Sequence, residues 1–199
     1  MKLEQSFYMR QDVEETAKSL LGKFLVTEFD GQYTAGMIVE TEAYAGVTDR
    51  ASHAYNHRKT KRTEVMYHEG GTAYVYLIYG IYSLFNIVTN HIGVPHAVLI
   101  RALQPIDGVH IMLKRRKKSK PDRSITGGPG LLTIALGINT SHSGMSLFDG
   151  NIWVEDRGIN IDNDDIIAAP RVGVGYAGED AKLHRRFMIR DNPWVSRAK

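Results

Sequence analysis

The stretch GTAYVYLIYGIYSLFNIV, Gly71 to Val88, decides how this chain is read. Its residues alternate on both sides of Tyr79-Gly80, the pattern of two antiparallel strands joined by a tight turn. It carries four tyrosines, and Tyr79 stands at the turn itself. A large ring on a turn gains little from folding, so either a partner buries it or its place is accidental.

Outward from this hairpin, HAVLIRAL (96–103) follows as an apolar strand. KFLVTEF (23–29) and TAGMIVETEAY (34–44) precede it as a second hairpin, turned at Asp30-Gly31. Asp12 has the place of a helix N-cap, with Glu15 completing a capping box. Val13, Ala17, Leu20 and Leu21 then form a helical apolar stripe that ends at Gly22. Residues 45–70 are polar and aperiodic; a loop that long in a small domain is functional or disordered. Gly108 to Lys118 suits a helix, and GGPG (127–130) introduces another in LLTIALGI. NIWVEDR (151–157), RVGVGYAG (171–178) and RRFMIR (185–190) read as late strands. The sum is one α+β domain over residues 1–199. Its sheet is curved and mainly antiparallel, roll or open-barrel-like, with flanking helices and a protruding β-hairpin.

Composition narrows the class. A chain of 199 residues with 43% hydrophobic and 24% charged residues can bury a substantial core. No apolar run reaches the roughly 20 residues of a membrane helix. The start, MKLEQSFYMRQDVEE, lacks an apolar signal core, so a cytoplasmic protein without a membrane is expected. The absence of Cys excludes disulfides and thiolate metal sites. Net charge is +3, but KRRKKSKPDR (114–123) sets seven Lys/Arg against one Asp. Such a run is a solvated face or a phosphate-binding surface, and charge alone does not choose.

Two features carry candidate chemistry. In MIVETEAY, period-two geometry puts Glu40, Glu42 and Tyr44 on one strand face and Val39, Thr41 and Ala43 on the other. The carboxylates are either an exposed sheet face or a paired acid/base site of the glycosidase kind. The eight histidines (53, 57, 68, 91, 96, 110, 142 and 184) raise a metal site, but only His53 and His57 share helical spacing and no HExxH pattern accompanies them. No metal and no cofactor is expected. GGPG lacks the Lys-Ser/Thr of a phosphate loop and reads as a helix start able to hold one phosphate.

ETEAY, the His nine residues beyond that Tyr, YVYLIYG, the Asn ten residues after Tyr76 and LIRALQP occur in one order. With AAPRVGVGYAG and the final RF…NPWVS, they resemble the alkyladenine (3-methyladenine) DNA glycosylase family from about residue 10 onward. The resemblance implies a monofunctional glycosylase of base excision repair, a monomer acting on double-stranded DNA that contains damaged purines. It implies that Glu42 is the general base and that Arg101 holds the attacking water. Tyr44, His53 and Tyr76 would line the base pocket, and Asn86 would crowd the purine 2-position. Tyr79 would enter the minor groove and fill the gap left by the flipped nucleotide. Apart from the resemblance, Lys117 and Lys118 are the phosphate contacts that the charge of the basic run offers if it is not a solvated face.

That pocket needs Tyr76 and Asn86 on one face. A two-residue turn pairs Ile78 with Ile81 and separates them; a three-residue connection, or an equivalent bulge, pairs Ile78 with Tyr82 and unites them. The latter register is predicted. Leu131 departs from the family, where a Lys commonly follows the Gly-Pro-Gly-like turn. No Lys holds a recognisable Schiff-base position, so lyase chemistry is not implied. Two rivals remain open: a nucleic-acid-binding protein of the same fold with weak catalysis, and a sugar hydrolase using Glu40 and Glu42.

Overall fold

A computed structural model describes residues 1–197. The chain opens with helices α1 (Gln5–Tyr8) and α2 (Val13–Ser19), then strands β1 (Phe24–Phe29) and β2 (Gln32–Tyr44). Beyond a loop lie β3 (Ala73–Ile78), β4 (Tyr82–Thr89) and β5 (His96–Asp107), and then helices α3 (Val109–Arg116) and α4 (Pro129–Leu136). Three short strands complete it: β6 (Ile152–Glu155), β7 (Ile166–Ala169) and β8 (Arg186–Ile189).

The strands form one antiparallel sheet in the order β3-β4-β5-β2-β1-β6, with β7 and β8 attached at β2. At 13 residues β2 is long enough to share one edge. Its first part pairs with β1, and Glu40–Glu42 pair with β8. Asp30 and Gly31 take positive φ (51° and 71°), which closes the tight β1–β2 turn. The α+β architecture with a curled antiparallel sheet is as expected.

One face of the sheet packs under the helices. Leu25, Ile38, Phe85, Val98, Ile100 and Leu103 meet Ala17, Met112, Leu132 and Leu136 there. All four residues of the predicted α2 stripe lie in this core. Asp12 caps α2 through the Glu14 and Glu15 amides (2.9 and 3.1 Å), but the cap is one-sided. The Glu15 carboxylate turns instead to Lys18 at 2.5 Å.

Three other expectations are corrected. Residues 171–178 are no strand: Gly173 takes φ 74°, and 3-10 turns run from Gly175 to Lys182. Pairing β8 is instead β7, which the sequence does not announce. β5 also runs four residues past Leu103, through Pro105. The missing N–H is tolerated because β4 reaches only to Leu99, leaving Pro105 at a strand edge beside a register shift.

The third correction concerns β2. Its register against β5 slips at Ile38/Glu40 and again at Glu40/Thr41. Val39 stays with Met37 and Ala102 in a smaller cluster, as alternation from Met37 requires, while Ile38 and Ala43 lie in the main core. Strict alternation places Val39 with Ala43, and the slip separates them. Such bulges bend a strand and re-aim its side chains, and here they turn two carboxylates toward Arg101.

Candidate active site

The hairpin takes the predicted register. Ile78 pairs with Tyr82, Tyr76 with Leu84 and Tyr74 with Asn86. Tyr79 and Gly80 both adopt positive φ, and the Ile81 amide closes the turn on the Ile78 carbonyl at 3.1 Å. Tyr74, Tyr76 and Asn86 thus share one face, and Val75 and Phe85 enter the core on the other. Tyr79, held outside, is 85% exposed.

This face walls a cavity of about 510 Å³. Glu42, Tyr44, His53, Tyr76, Asn86 and Arg101 all line it, and Tyr79 stands at its edge. The structure so brings together seven of the nine residues singled out from the sequence. Lys117 and Lys118 are elsewhere, past the end of α3. Lys117 is exposed and ends the helix with φ 53°. Lys118 pairs with Asp122 at 2.9 Å. Arg115 and Arg116 donate to the Ala135 and Ser124 carbonyls. The basic run is partly internal cross-linking, with Lys114, Lys117 and Lys120 exposed and unpaired among the described residues.

At the closed end sits Glu42, fully buried beside Glu40. The exposed-face alternative for these carboxylates is thereby overturned. Glu42 Oε1 accepts from the Val172 amide at 2.8 Å and lies 3.2 Å from an Arg101 guanidinium nitrogen. Its Oε2 accepts from the Tyr44 hydroxyl at 2.8 Å. Burial, and after it the Glu42 charge, push the Tyr44 hydroxyl well above its ordinary range, so it stays a donor. Burial opposes the charge on Arg101, yet Glu42 and Glu40 together hold its pKa above the usual arginine value.

The side walls are aromatic. His53 and Tyr76 meet edge to face at 4.6 Å, and Tyr74 lies 5.4 Å from Tyr76. His53 Nδ1 and the Tyr74 hydroxyl share a hydrogen bond of 2.9 Å. The Arg171 guanidinium covers the Tyr44 ring at 4.8 Å. Asn86 is buried, and its side-chain amide donates to the Tyr74 carbonyl at 3.1 Å, so it cannot swing aside.

Burial, reinforced by Arg62 and Arg58, lowers the His53 pKa to about 4. The unfolded chain takes up this proton near the ordinary histidine value of 6.5, and the folded chain only near 4. The stability is therefore whole above about pH 6.5 and is lost as pH falls through 4. Between pH 7 and pH 5 the loss is about 2 kcal/mol from this one group. Urea melts at both pH values check it against His53→Gln, which should lose less on acidification. Equal losses would mean that His53 protonates freely in the fold.

Sequence reasoning assigns no role to Tyr74, Asp49, Arg171 or Val172. Tyr74 carries a usable signal, since it lies two residues from Tyr76 on the same strand face. Arg171 and Val172 lie in AAPRVGVGYAG, which marks the family but not their roles, and Asp49 has no local signal, because what these three do depends on partners more than a hundred residues away.

Comparison with known proteins identifies a family. A family model described as methylpurine-DNA glycosylase (MPG) matches residues 6–193. A protein of Chlamydia abortus is 45% identical over 188 residues, 94% of this chain and 97% of its own. One of Clostridium botulinum is 44% identical over 205 residues, covering 99% of this chain and all of its own. Both bear the name "Putative 3-methyladenine DNA glycosylase". With the match running through every strand that builds the cavity, the chain belongs to the methylpurine-DNA glycosylase family.

Proposed function

We propose that this protein is a monofunctional DNA glycosylase that turns alkylated or deaminated purines out of duplex DNA and hydrolyses their N-glycosidic bond. One observation carries the reading. A buried carboxylate, Glu42, is fixed by three donors at the end of an aromatic-walled cavity whose edge carries an exposed tyrosine.

The chemistry follows from the arrangement. Glu42 accepts a proton from water as the water oxygen attacks the sugar C1′, and the C1′–N bond breaks with its electrons passing to the base. Cleavage develops oxocarbenium character, which a nearby carboxylate stabilises. Purines alkylated at N3 or N7, such as 3-methyladenine and 7-methylguanine in DNA, are cationic, so the π-faces of Tyr44 and Tyr76 favour them over neutral bases. The immobile Asn86 amide crowds the 2-position and rejects the exocyclic amine of guanine. We read the protein as a monomer of the cytoplasm; among the described residues no helix is long and apolar enough to cross a membrane. Incubating it with duplexes carrying 3-methyladenine, 7-methylguanine, hypoxanthine or ethenoadenine, with EDTA present, should leave abasic sites in at least one. No abasic sites in any would leave a binding protein of this fold.

Tyr79 has the job of a wedge. Unstacking a nucleotide costs a few kcal/mol, and an inserted ring offsets part of that. Tyr79→Ser should scarcely alter the melting temperature, since an 85% exposed ring buries little in the free protein. Affinity for a duplex with an abasic analogue should weaken by about 1–3 kcal/mol. A large melting loss with unchanged affinity would sink the wedge.

For the basic run, Lys117→Ala and Lys118→Ala should weaken binding to all sequences alike. The slope of log K against log[salt] should fall by roughly one for each phosphate that is no longer neutralised. Lys118 should give the smaller change, because Asp122 already compensates it. If neither slope moves, the run is a solvated face.

A further inference from the structure

Glu40 is the carboxylate that the mechanism above leaves unused. It is as buried as Glu42 but does not line the cavity. Burying a second carboxylate beside the first is costly unless it is fully paired. Its partners fall into two groups. Oε1 accepts from Arg101 Nε at 2.9 Å, with Arg186 at 3.4 Å. The second group is the segment after β8, where the Ser196 hydroxyl reaches Oε1 at 2.9 Å and the Ser196 amide reaches Oε2 at 2.7 Å. Ser196 Oγ also stands 3.4 Å from a terminal nitrogen of Arg101.

We propose that Glu40 and Ser196 form a positioning pair that locks the Arg101 guanidinium in the plane from which it meets Glu42. The proposal rests on the glycosylase reading and assigns to that reaction two residues that never touch the base. A planar guanidinium offers donors in a rigid fork, so fixing Nε on one carboxylate fixes where its terminal nitrogens point. With Nε on Glu40, a terminal nitrogen lies 3.2 Å from Glu42. Ser196 prevents Glu40 from turning, because its amide and hydroxyl occupy both carboxylate oxygens.

The segment that brings Ser196 is itself anchored. Asn192 donates to the Gln104 side chain at 3.2 Å, and Trp194 and Val195 pack on the cluster around Met37, Val39 and Ala102. Ala35, Met37 and Val39 reach that cluster by plain alternation along β2, and the bulge begins just after them. The apolar seat for the segment that holds Glu40 and the irregularity that aims Glu40 at Arg101 are thus consecutive on one strand.

The test is single-turnover excision from methylated duplex DNA, with affinity for an abasic-analogue duplex and thermal melts measured alongside. Ser196→Ala keeps the backbone donor and loses the hydroxyl, and its excision should slow on the order of tenfold. Glu40→Gln introduces a donor facing donors and should slow it by up to about 10²-fold, the scale of a small misplacement at a reacting centre. Duplex affinity should stay unchanged in both, and Ser196→Thr, which keeps a hydroxyl, should restore most of the rate. Should Glu40→Gln fail to fold, the Ala and Thr variants at 196 decide alone. Parental excision by Ser196→Ala, a parallel fall in affinity and rate, or no rescue by Thr would each overturn the pair. An unsubstituted protein that makes no abasic sites would instead remove the glycosylase reading underneath it.

Discussion

Glu42→Gln is expected to bind lesion-containing duplex as the parent does and to excise about 10²–10⁴-fold more slowly, the usual cost of losing a general base. The substitution is mild in structure. The amide oxygen still accepts from the Val172 N–H and faces Arg101. The new NH₂ meets the Tyr44 hydroxyl, which now accepts instead of donating. Cavity shape, ring positions and the Tyr79 edge are left alone, so affinity has no reason to fall. What vanishes is the ability to take a proton from water. Single-turnover assays with enzyme in excess separate this from slow product release. Excision at the parental rate would strip Glu42 of the role, and a matching loss of affinity would make it a binding residue.

The hairpin is legible in the sequence from its alternation, but its register is chosen only because the family resemblance sets Tyr76 and Asn86 in one pocket. Tyr76, Asn86 and Tyr79 are named by the resemblance, and in this register all three line the cavity. The acid face of β2 is half legible. Alternation rightly sets Glu40 and Glu42 together, but charged residues on a strand read equally as a solvated surface. The guanidinium that buries them arrives from β5, about sixty residues later. Nothing in the local apolar pattern of MIVETEAY marks an inserted residue, so the bulge at Val39–Glu40 is invisible there, and alternation wrongly groups Val39 with Thr41 and Ala43. RVGVGYAG misleads for a related reason. Its valines suggest a strand, yet Arg171 is committed to a carboxylate in the loop after β2, and that tie sets the path of the segment. Residues 45–70 look structureless in sequence, but they supply Asp49 and His53 from a run of short 3-10 turns.

Asp49→Ala is expected to cost about 3–5 kcal/mol of folding stability, the penalty for leaving one half of a buried ion pair alone. The Asp49 and Arg171 side chains are both fully shut from solvent and meet through two parallel hydrogen bonds, 2.5 and 2.9 Å. Burial pushes the Asp49 carboxyl upward. The hydrogen bonds and charge of Arg171, with the Ala45 and Ala51 amides, more than reverse this and hold it below its ordinary value. Arg171 in turn donates to the Ala43 and Asp180 carbonyls, tying the 171–174 loop to the end of β2. The next amide along, that of Val172, is a donor to Glu42. Stability and chemistry are therefore joined at this pair, and a second variant divides them. Asp49→Leu with Arg171→Met removes both charges, so it should recover much of the lost stability, because no buried charge is left unpaired. Excision should stay depressed, since nothing then fixes the Val172 amide or covers the Tyr44 ring. Denaturant melts and single-turnover rates on the same preparations read the two effects. Melting of Asp49→Ala at the parental midpoint would show that the pair is no anchor, and full activity in the double variant would free the Val172 amide from dependence on it.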